Sequence, residues 1–184
     1  NENYKISDVE LASRLSFFLW SGAPDDELLS LAEQERLRDP QIIKNQVARM
    51  MSDDKADAFI KNFVGQWLYL RNLDNVYPLP AAFPEFDDNL RLSFKQETEM
   101  FFEEQIRDNH SLLELFAANY SFLNQRLADH YGVQGVYGSH FRKVELDGYK
   151  RGGLLGHGSL MTVTSYPNRT SVVLRGKYVL DNFL

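Results

Sequence analysis

The stretch at 87–108, "DDNLRLSFKQETEMFFEEQIRD", decides the fold class of this chain of 184 residues. Its apolar residues recur mainly at intervals of four and seven, which places them on one face of an α-helix. Either Asp87 or Asp88 can cap that helix by accepting hydrogen bonds from backbone N–H groups of the first turn. The predicted apolar face consists of Leu90, Phe94, Phe101, Phe102 and Ile106. We therefore predict the longest helix of the chain here, with its apolar face in a core.

Four glutamates of this helix fall outside the predicted apolar face. They are Glu97, Glu99, Glu103 and Glu104. A diiron site in a helix bundle needs Glu-x-x-His pairs on facing helices, and no glutamate of the chain has a histidine three residues later. We interpret the four glutamates as a solvated helix face and predict no metal site.

Shorter segments on both sides repeat the pattern of a polar cap followed by apolar residues at helical spacing. Ser7 and Glu10 match a capping box, and Asp39 precedes Pro40, a residue favoured at the first helical position. Helices are predicted to begin near Ser7, Asp25, Asp39, Asp53, Asp87, Ser111, Ser121 and Ser171. Alternating residues at 141–146 predict a short strand or hairpin. The sequence predicts an all-α fold of seven to eight helices in two packed helical subdomains.

The boundary between the subdomains is predicted at 72–86, "NLDNVYPLPAAFPEF". Its three closely spaced prolines exclude a helix interior, because proline lacks the backbone N–H group that a helix uses. We expect an N-terminal four-helix subdomain over 1–71 and a C-terminal helical subdomain with a glycine-rich segment over 87–184. The proline-rich linker between them is expected to be held in place by its aromatic side chains.

Composition excludes several classes of function. The formal net charge of −6 disfavours nucleic acid as a partner, and no apolar run approaches the ~18 residues of a transmembrane helix. Cysteine is absent, so these residues hold no disulfide, thiolate metal site or covalently attached c-type haem. Hydrophobic residues make up 43%, which is enough to bury a sizeable core.

The glycine-rich segment at 151–178, "RGGLLGHGSLMTVTSYPNRTSVVLRGKY", contains the candidate site. Glycines flank His157 on both sides and allow another backbone or a flat cofactor to approach it closely, so His157 is either a packing residue or a ligand. Arg151, Arg169 and Arg175 can each pair with a carboxylate through two parallel hydrogen bonds. Their partner is either the acidic middle of the chain or an external carboxylate such as a haem propionate. We predict these four residues as cofactor-binding candidates.

Patterns of known catalytic and nucleotide-binding sites do not match this segment. The "GHGSL" stretch at 156–160 lacks the second glycine of a nucleophile elbow. The four glycines at 152–158 do not form the G-x-G-x-x-G fingerprint that follows a strand in dinucleotide-binding folds. No catalytic residue is predicted.

Three longer phrases of the chain resemble a known family. They are "LASRLSFFLWSGAPDDELL" at 11–29, "FLNQRLADHYGV" at 122–133 and "RGGLLGHGSLMTVTSYPNRTSVVLRGKYVLDNFL" at 151–184. They resemble the planctomycete-type group of large secreted c-type cytochromes, which are built from consecutive helical domains of unknown function upstream of a CxxCH haem domain. The resemblance covers essentially the whole chain, although Val172 stands where the family usually has proline.

The resemblance implies that this chain is the helical part of a periplasmic or extracellular bacterial c-type cytochrome that supports electron transfer, linked to polysaccharide oxidation. Haem c would be attached in a downstream region. The expected partners are therefore the downstream haem domain of the same polypeptide and a redox partner protein. His157 would be a candidate haem ligand and the three arginines candidate partners of its propionates. Two alternatives stay open: a non-redox scaffold or protein-interaction module, and an enzyme whose site is completed by a downstream domain.

Overall fold

The computed structural model describes residues 5–184, and the chain divides into two compact units between Asn62 and Phe63. The predicted all-α class is confirmed, because the described part is mainly helical and its strands form two short antiparallel pairs. The predicted linker at 72–86 lies inside the second unit. Residues 1–4 of the predicted N-terminal subdomain lie outside the described residues. Within the described range, no helix combines the length and the apolar composition needed to cross a membrane.

The first unit is built from helices whose starts the sequence predicts. They are α1 (Asp8–Trp20), α2 (Asp26–Glu33), α3 (Pro40–Met51) and, after a 3-10 turn at Asp54–Ala56, α4 (Asp57–Trp67), which continues into the second unit. Ser7 and Glu10 form the predicted capping box of α1, and Asp39 caps α3 through the backbone N–H groups of Gln41 and Ile42. The buried core of this unit comprises Ala12, Leu19, Trp20, Leu28, Ala32, Leu37 and Met50.

The second unit is arranged around α5, the helix that the opening stretch predicts. Its elements are a 3-10 turn (Leu70–Asn75), α5 (Asp88–Arg107), α6 (Glu114–Ala117), β1 (Tyr120–Leu123), α7 (Gln125–Tyr131), β2 (Arg142–Glu145), a 3-10 turn (Leu154–Gly156), α8 (Gly158–Val163), β3 (Ser165–Tyr166), β4 (Arg169–Thr170) and α9 (Val172–Phe183). Asp87 caps α5 by accepting a hydrogen bond from Leu90 N–H at 2.7 Å. Because β1, α7 and α8 all pack against α5, this helix supplies the core of the unit.

The helix predicted to begin at Ser121 is a strand at its start. Tyr120–Leu123 form β1, which pairs in antiparallel register with Arg142–Glu145, and Asn124 then caps α7. A short apolar run such as Tyr120–Leu123 is compatible with a strand and with a helix. Its hydrogen bonds to β2 stabilise the strand. The predicted strand near 141–146 is therefore present, but its partner is a distant segment and not a local hairpin. Gly132 ends α7 in the left-handed conformation.

The glycine-rich segment packs closely within its own unit. Gly153 has a φ of 60°, and a β-carbon there would lie 2.4 Å from the carbonyl oxygen of Phe116. Gly158, the first residue of α8, leaves room for the ring of Phe94 in α5. The glycines are thus needed for close packing of α8 and the preceding turn onto their neighbours.

Candidate functional site

A cavity of about 430 Å³ opens in the second unit. Its apolar lining includes Pro78, Phe83, Pro84, Phe86, Phe94, Tyr131, Met161 and Tyr166, and its charged or titratable lining residues are Glu85, His130, Tyr131, Tyr166, Arg151 and Arg175. A concave space of this size, with aromatic walls and few polar groups, is typical of sites that bind small organic molecules. It is the candidate functional site, called here the aromatic cavity.

One wall of the aromatic cavity comes from the proline-rich segment at 76–86. This segment has no regular structure over most of its length, but hydrogen bonds hold it in place. Leu79 N–H donates to the carbonyl oxygen of Pro167 at 2.6 Å. Arg91 Nη2 donates to the carbonyl oxygen of Val76 at 3.0 Å. The segment that the sequence predicts to be a linker is therefore part of the site.

Two of the predicted arginines line the cavity. The Arg151 guanidinium carbon lies 3.6 Å from the centre of the Tyr131 ring, a cation–π contact, and its Nη1 donates to the carbonyl oxygen of Gly156. Arg175 Nη2 lies 3.5 Å from Met161 O and from Ser165 Oγ, the outer limit for a hydrogen bond. The Nε of Arg175 is buried and has no partner among the described residues. Arg151 therefore keeps donors that an anion in the cavity could use, and Arg175 adds a second positive charge to the lining.

The interpretation of the glutamates as a solvated face is wrong for Glu97. Its side chain is fully buried. Glu97 Oε1 accepts a hydrogen bond from Ser121 Oγ at 2.7 Å, and Oε2 accepts one from Tyr131 OH at 2.6 Å. The sequence spacing could have indicated this burial. Glu97 follows Phe94 by three residues and precedes Phe101 by four, which places all three residues on one helix face.

Glu97 lies behind Tyr131 and has a perturbed acidity. Burial raises the pKa of its carboxyl to about 7, against the lowering effects of the hydrogen bonds from Tyr131 and Ser121 and of the charge of Arg151. Burial, together with the charge of Glu97, also raises the pKa of the Tyr131 hydroxyl well above its usual range. The same hydroxyl accepts a hydrogen bond from Gly158 N–H at 2.8 Å. A carboxyl that titrates near neutral pH is thus connected to the cavity wall through one tyrosine.

His157, the predicted haem ligand, is buried and does not line the aromatic cavity. Its Nδ1 lies 3.0 Å from Thr98 Oγ1, and its ring contacts that of Phe101 edge to face at 4.9 Å between centroids. The Nε2 atom is buried without a partner within residues 5–184. Burial, and to a lesser extent the charge of Arg151, lowers the pKa of His157 to about 3, so the imidazole is neutral. Iron ligation by His157 stays a prediction.

Arg169, the remaining predicted residue, is exposed. Its guanidinium lies 5.3 Å from the centre of the Tyr166 ring, and it does not line the cavity. The structure therefore brings Arg151 and Arg175 to one cavity and places His157 and Arg169 outside its lining. It adds Tyr131, His130 and the aromatic residues of the 76–86 segment, which the sequence did not connect with the glycine-rich segment.

A separate cluster near the end of α5 could hold a metal ion, although the sequence predicts no metal site. Glu104, Asp108 and His110 each place one donor atom within 4.8 Å of the other two. Lys143 Nζ already donates to Glu104 Oε1 at 2.5 Å, and Glu114 Oε2 lies 2.8 Å from His110 Nδ1. The ammonium group of Lys143 would compete with a metal ion for Glu104. We therefore assign no role to this cluster.

Comparison with known proteins identifies one family. The model of the family described as PSD4, a protein of unknown function (DUF1592), matches residues 6–133. The match includes α1 to α7 and the 72–86 segment, and therefore spans both units. Neither a search of curated proteins nor a search of solved structures finds a match.

Proposed function

The chain belongs to the DUF1592 family, and we propose that its second unit is a binding module that holds an anionic, largely apolar group in the aromatic cavity. The observation that supports this function best is the placement of Arg151 and Arg175 in one cavity with aromatic walls. An arginine fork pairs with a carboxylate through two charge-assisted hydrogen bonds. The aromatic walls favour a ring or another flat apolar group attached to that carboxylate.

We propose further that this module is the helical part of a periplasmic or secreted c-type cytochrome, where it supports electron transfer linked to polysaccharide oxidation. The support comes from the resemblance to planctomycete-type cytochromes and from the DUF1592 match. In this proposal, the downstream haem domain of the same polypeptide is the nearest partner and a redox partner protein receives or delivers the electron.

The arginines of the cavity fit the carboxylates of a haem. The chain has no cysteine and attaches no haem covalently. Arg151 and Arg175 suit the propionates of a haem, because both line the cavity with a positive charge and a guanidinium group matches carboxylate acceptors. His157 does not line the cavity, so no residue role here depends on iron ligation. Haem supplies one-electron chemistry when bound. The residues of this chain would orient its carboxylates and exclude water from its edge.

The alternative of a scaffold has one observation in its favour. Arg151 is already engaged by the Tyr131 ring and by the carbonyl oxygen of Gly156, as expected of a residue that stabilises its own fold. The alternative of an enzyme predicts a perturbed carboxylate in a deep pocket. Glu97 has the raised pKa but lies behind Tyr131 and not in the lining.

Binding of naphthalene-2-carboxylate, measured by isothermal titration calorimetry at neutral pH, tests the binding function. Arg151→Gln and Arg175→Gln should each weaken binding about tenfold to a hundredfold, since a hydrogen bond to a charged group contributes about 1.5–3 kcal/mol. Arg14→Gln removes the same charge from an exposed position of the first unit and should leave the affinity unchanged. Equal affinities for all four proteins would contradict the proposal and favour the scaffold.

A further inference from the structure

Glu97, Tyr131 and Arg151 form a connected series from the protein interior to the aromatic cavity. Glu97 Oε2 accepts the Tyr131 hydroxyl at 2.6 Å, and the Arg151 guanidinium stacks on the Tyr131 ring at 3.6 Å. No positively charged side chain bonds directly to the Glu97 carboxyl within the described chain. The charge of Arg151 acts on this carboxyl from a greater distance and favours its ionised form. The charge of one cavity-lining arginine therefore influences both the buried carboxyl and any anion in the cavity.

We propose that binding of an anionic ligand in the aromatic cavity is linked to proton uptake by Glu97, which accepts at most one proton per ligand from solvent. This inference rests on the proposed binding function and adds the regulation of that site. A ligand carboxylate at Arg151 places a negative charge near the guanidinium. Its field reduces the stabilisation that Arg151 gives to ionised Glu97, and it repels the Glu97 carboxylate as well.

The direction of the pH effect follows from linkage. An anion in the cavity raises the pKa of Glu97 above its value of about 7 in the free protein. Ligand affinity is then greatest below about pH 7, where Glu97 is already protonated, and falls as the pH rises through the pKa values of the free and bound forms. By reciprocity, ligand binding must raise the proton affinity of Glu97 by the same factor as protonation raises the ligand affinity.

Other charged or titratable groups lie on the elements around Glu97. His157 stays neutral because burial lowers its pKa to about 3, and the charge of Lys143 is engaged by Glu104 at 2.5 Å. On β1, the Tyr120 hydroxyl accepts a hydrogen bond from Gln105, and α8 has no charged residue. The remaining charged or titratable groups on the elements packed against α5 are Arg71, Asp74, Arg126, Asp129 and His130.

His130 is the rival proton acceptor, because it lines the cavity. Its Nδ1 lies 3.5 Å from Glu85 Oε2, and burial lowers its pKa despite that carboxylate. An anion beside His130 would also favour a proton there. Glu97 differs from His130 in being fully buried and connected to Arg151 only through Tyr131. Variants of the two residues therefore separate the two sources of proton uptake.

The experiment is calorimetric titration with naphthalene-2-sulfonate, which stays ionised at every pH used. Titrations near neutral pH in bis-Tris and in Tris, cationic buffers whose heats of ionisation differ, give the number of protons taken up per bound probe. We expect a fractional uptake near neutral pH and an affinity that falls about fivefold or more between about pH 6 and about pH 8.5. Glu97→Gln should remove most of the uptake and of the pH dependence. His130→Gln alters the cavity lining and therefore the affinity itself, but it should still take up protons and bind more weakly as the pH rises.

The outcomes separate a failure of the binding function from a failure of the inference about Glu97. No probe binding by the wild-type protein at any pH overturns the binding function itself. Binding without proton uptake, or uptake that His130→Gln removes and Glu97→Gln keeps, overturns only the inference about Glu97. If Glu97→Gln does not fold, carboxyl carbon NMR of the wild-type protein decides instead. A glutamate resonance that titrates near neutral pH must shift its midpoint upward when the probe is bound, and a fixed midpoint contradicts the inference.

Discussion

Gly158 lies so close to Phe94 that a β-carbon at position 158 would stand 2.1 Å from Cε1 of the phenylalanine ring. The same ring of Phe94 stacks nearly parallel to that of Tyr131, with 6.2 Å between the centroids. Gly158 N–H donates to the Tyr131 hydroxyl. Three residues from α5, α7 and α8 thus fix one another, and together they form the part of the cavity wall in front of Glu97.

Gly158→Ala should destabilise the second unit. The new methyl group forces the Phe94 ring or the start of α8 to move, and overpacking of this kind costs about 1–3 kcal/mol. Urea unfolding followed by circular dichroism measures the change. Gly176→Ala is the matched control, because position 176 is within α9 and has no atom within 4 Å of an added β-carbon. It should raise stability by about 0.5–1 kcal/mol, and a loss of stability equal to that of Gly158→Ala would contradict the packing argument.

Tyr131→Phe should lower stability by about 1–3 kcal/mol, because it leaves Gly158 N–H without its acceptor and Glu97 Oε2 without its donor. Hydrogen exchange should become faster at the Gly158 amide specifically. Tyr137→Phe provides the comparison, since Tyr137 is 71% exposed and its hydroxyl should matter little. Unchanged exchange at Gly158 in Tyr131→Phe would show that the hydroxyl does not hold this amide.

The stability of the protein should fall as the pH rises from about 4.5 to about 7 on account of Glu97. Its folded-state pKa of about 7 lies above the ordinary value of 4.5, so the folded protein binds more protons than the unfolded chain in this interval. The stabilisation contributed by Glu97 is fully present below about pH 4.5 and is lost as the pH rises through about 7. The loss is on the order of 3 kcal/mol.

Urea unfolding at several pH values measures this loss, and Glu97→Gln should not show it. Glu145→Gln removes an exposed carboxylate of β2 and should retain the wild-type pH profile. A wild-type profile identical to that of Glu97→Gln would mean that the buried carboxyl keeps its ordinary pKa.

His157 should act in the opposite direction at acid pH. Its folded-state pKa of about 3 lies below the ordinary 6.5, so its contribution is present above about pH 6.5 and is lost as the pH falls towards 3. His157→Gln should therefore lose less stability than the wild-type protein between about pH 4.5 and about pH 3, where Glu97 stays protonated in both states. The exposed His140 gives the control variant His140→Gln, which should follow the wild-type curve.

The sequence predicts most of the helices because the signals that begin and end them are local. The capping box of Ser7, the Asp39-Pro40 start of α3 and the Gly132 stop of α7 all act within one helical turn. The strand at Tyr120–Leu123 escapes prediction because its partner, Arg142–Glu145, is distant in the sequence. Its hydrogen bonds depend on where the chain returns.

Some of the residues that the sequence predicts for the candidate site line the cavity, and others do not. The sequence singled out Arg151 and Arg175 by residue type, and both line the aromatic cavity. The same reasoning predicts His157 and Arg169, which lie outside the lining of the cavity, because residue type does not specify which side chain faces a cavity. Glu97 shows the converse, since its spacing from Phe94 and Phe101 indicated the buried face while its charge suggested solvent.

The helical class, the helix caps and the lack of cysteines for covalent haem attachment can all be read from the residues alone. Folding is needed to bring the 76–86 segment and the glycine-rich segment together as walls of one cavity, and to place Tyr131 between a buried carboxyl and that cavity. The two kinds of information differ in the distance over which the interactions act. Capping and helical periodicity act over about four residues, whereas burial, pKa and cavity shape depend on neighbours that only folding brings together.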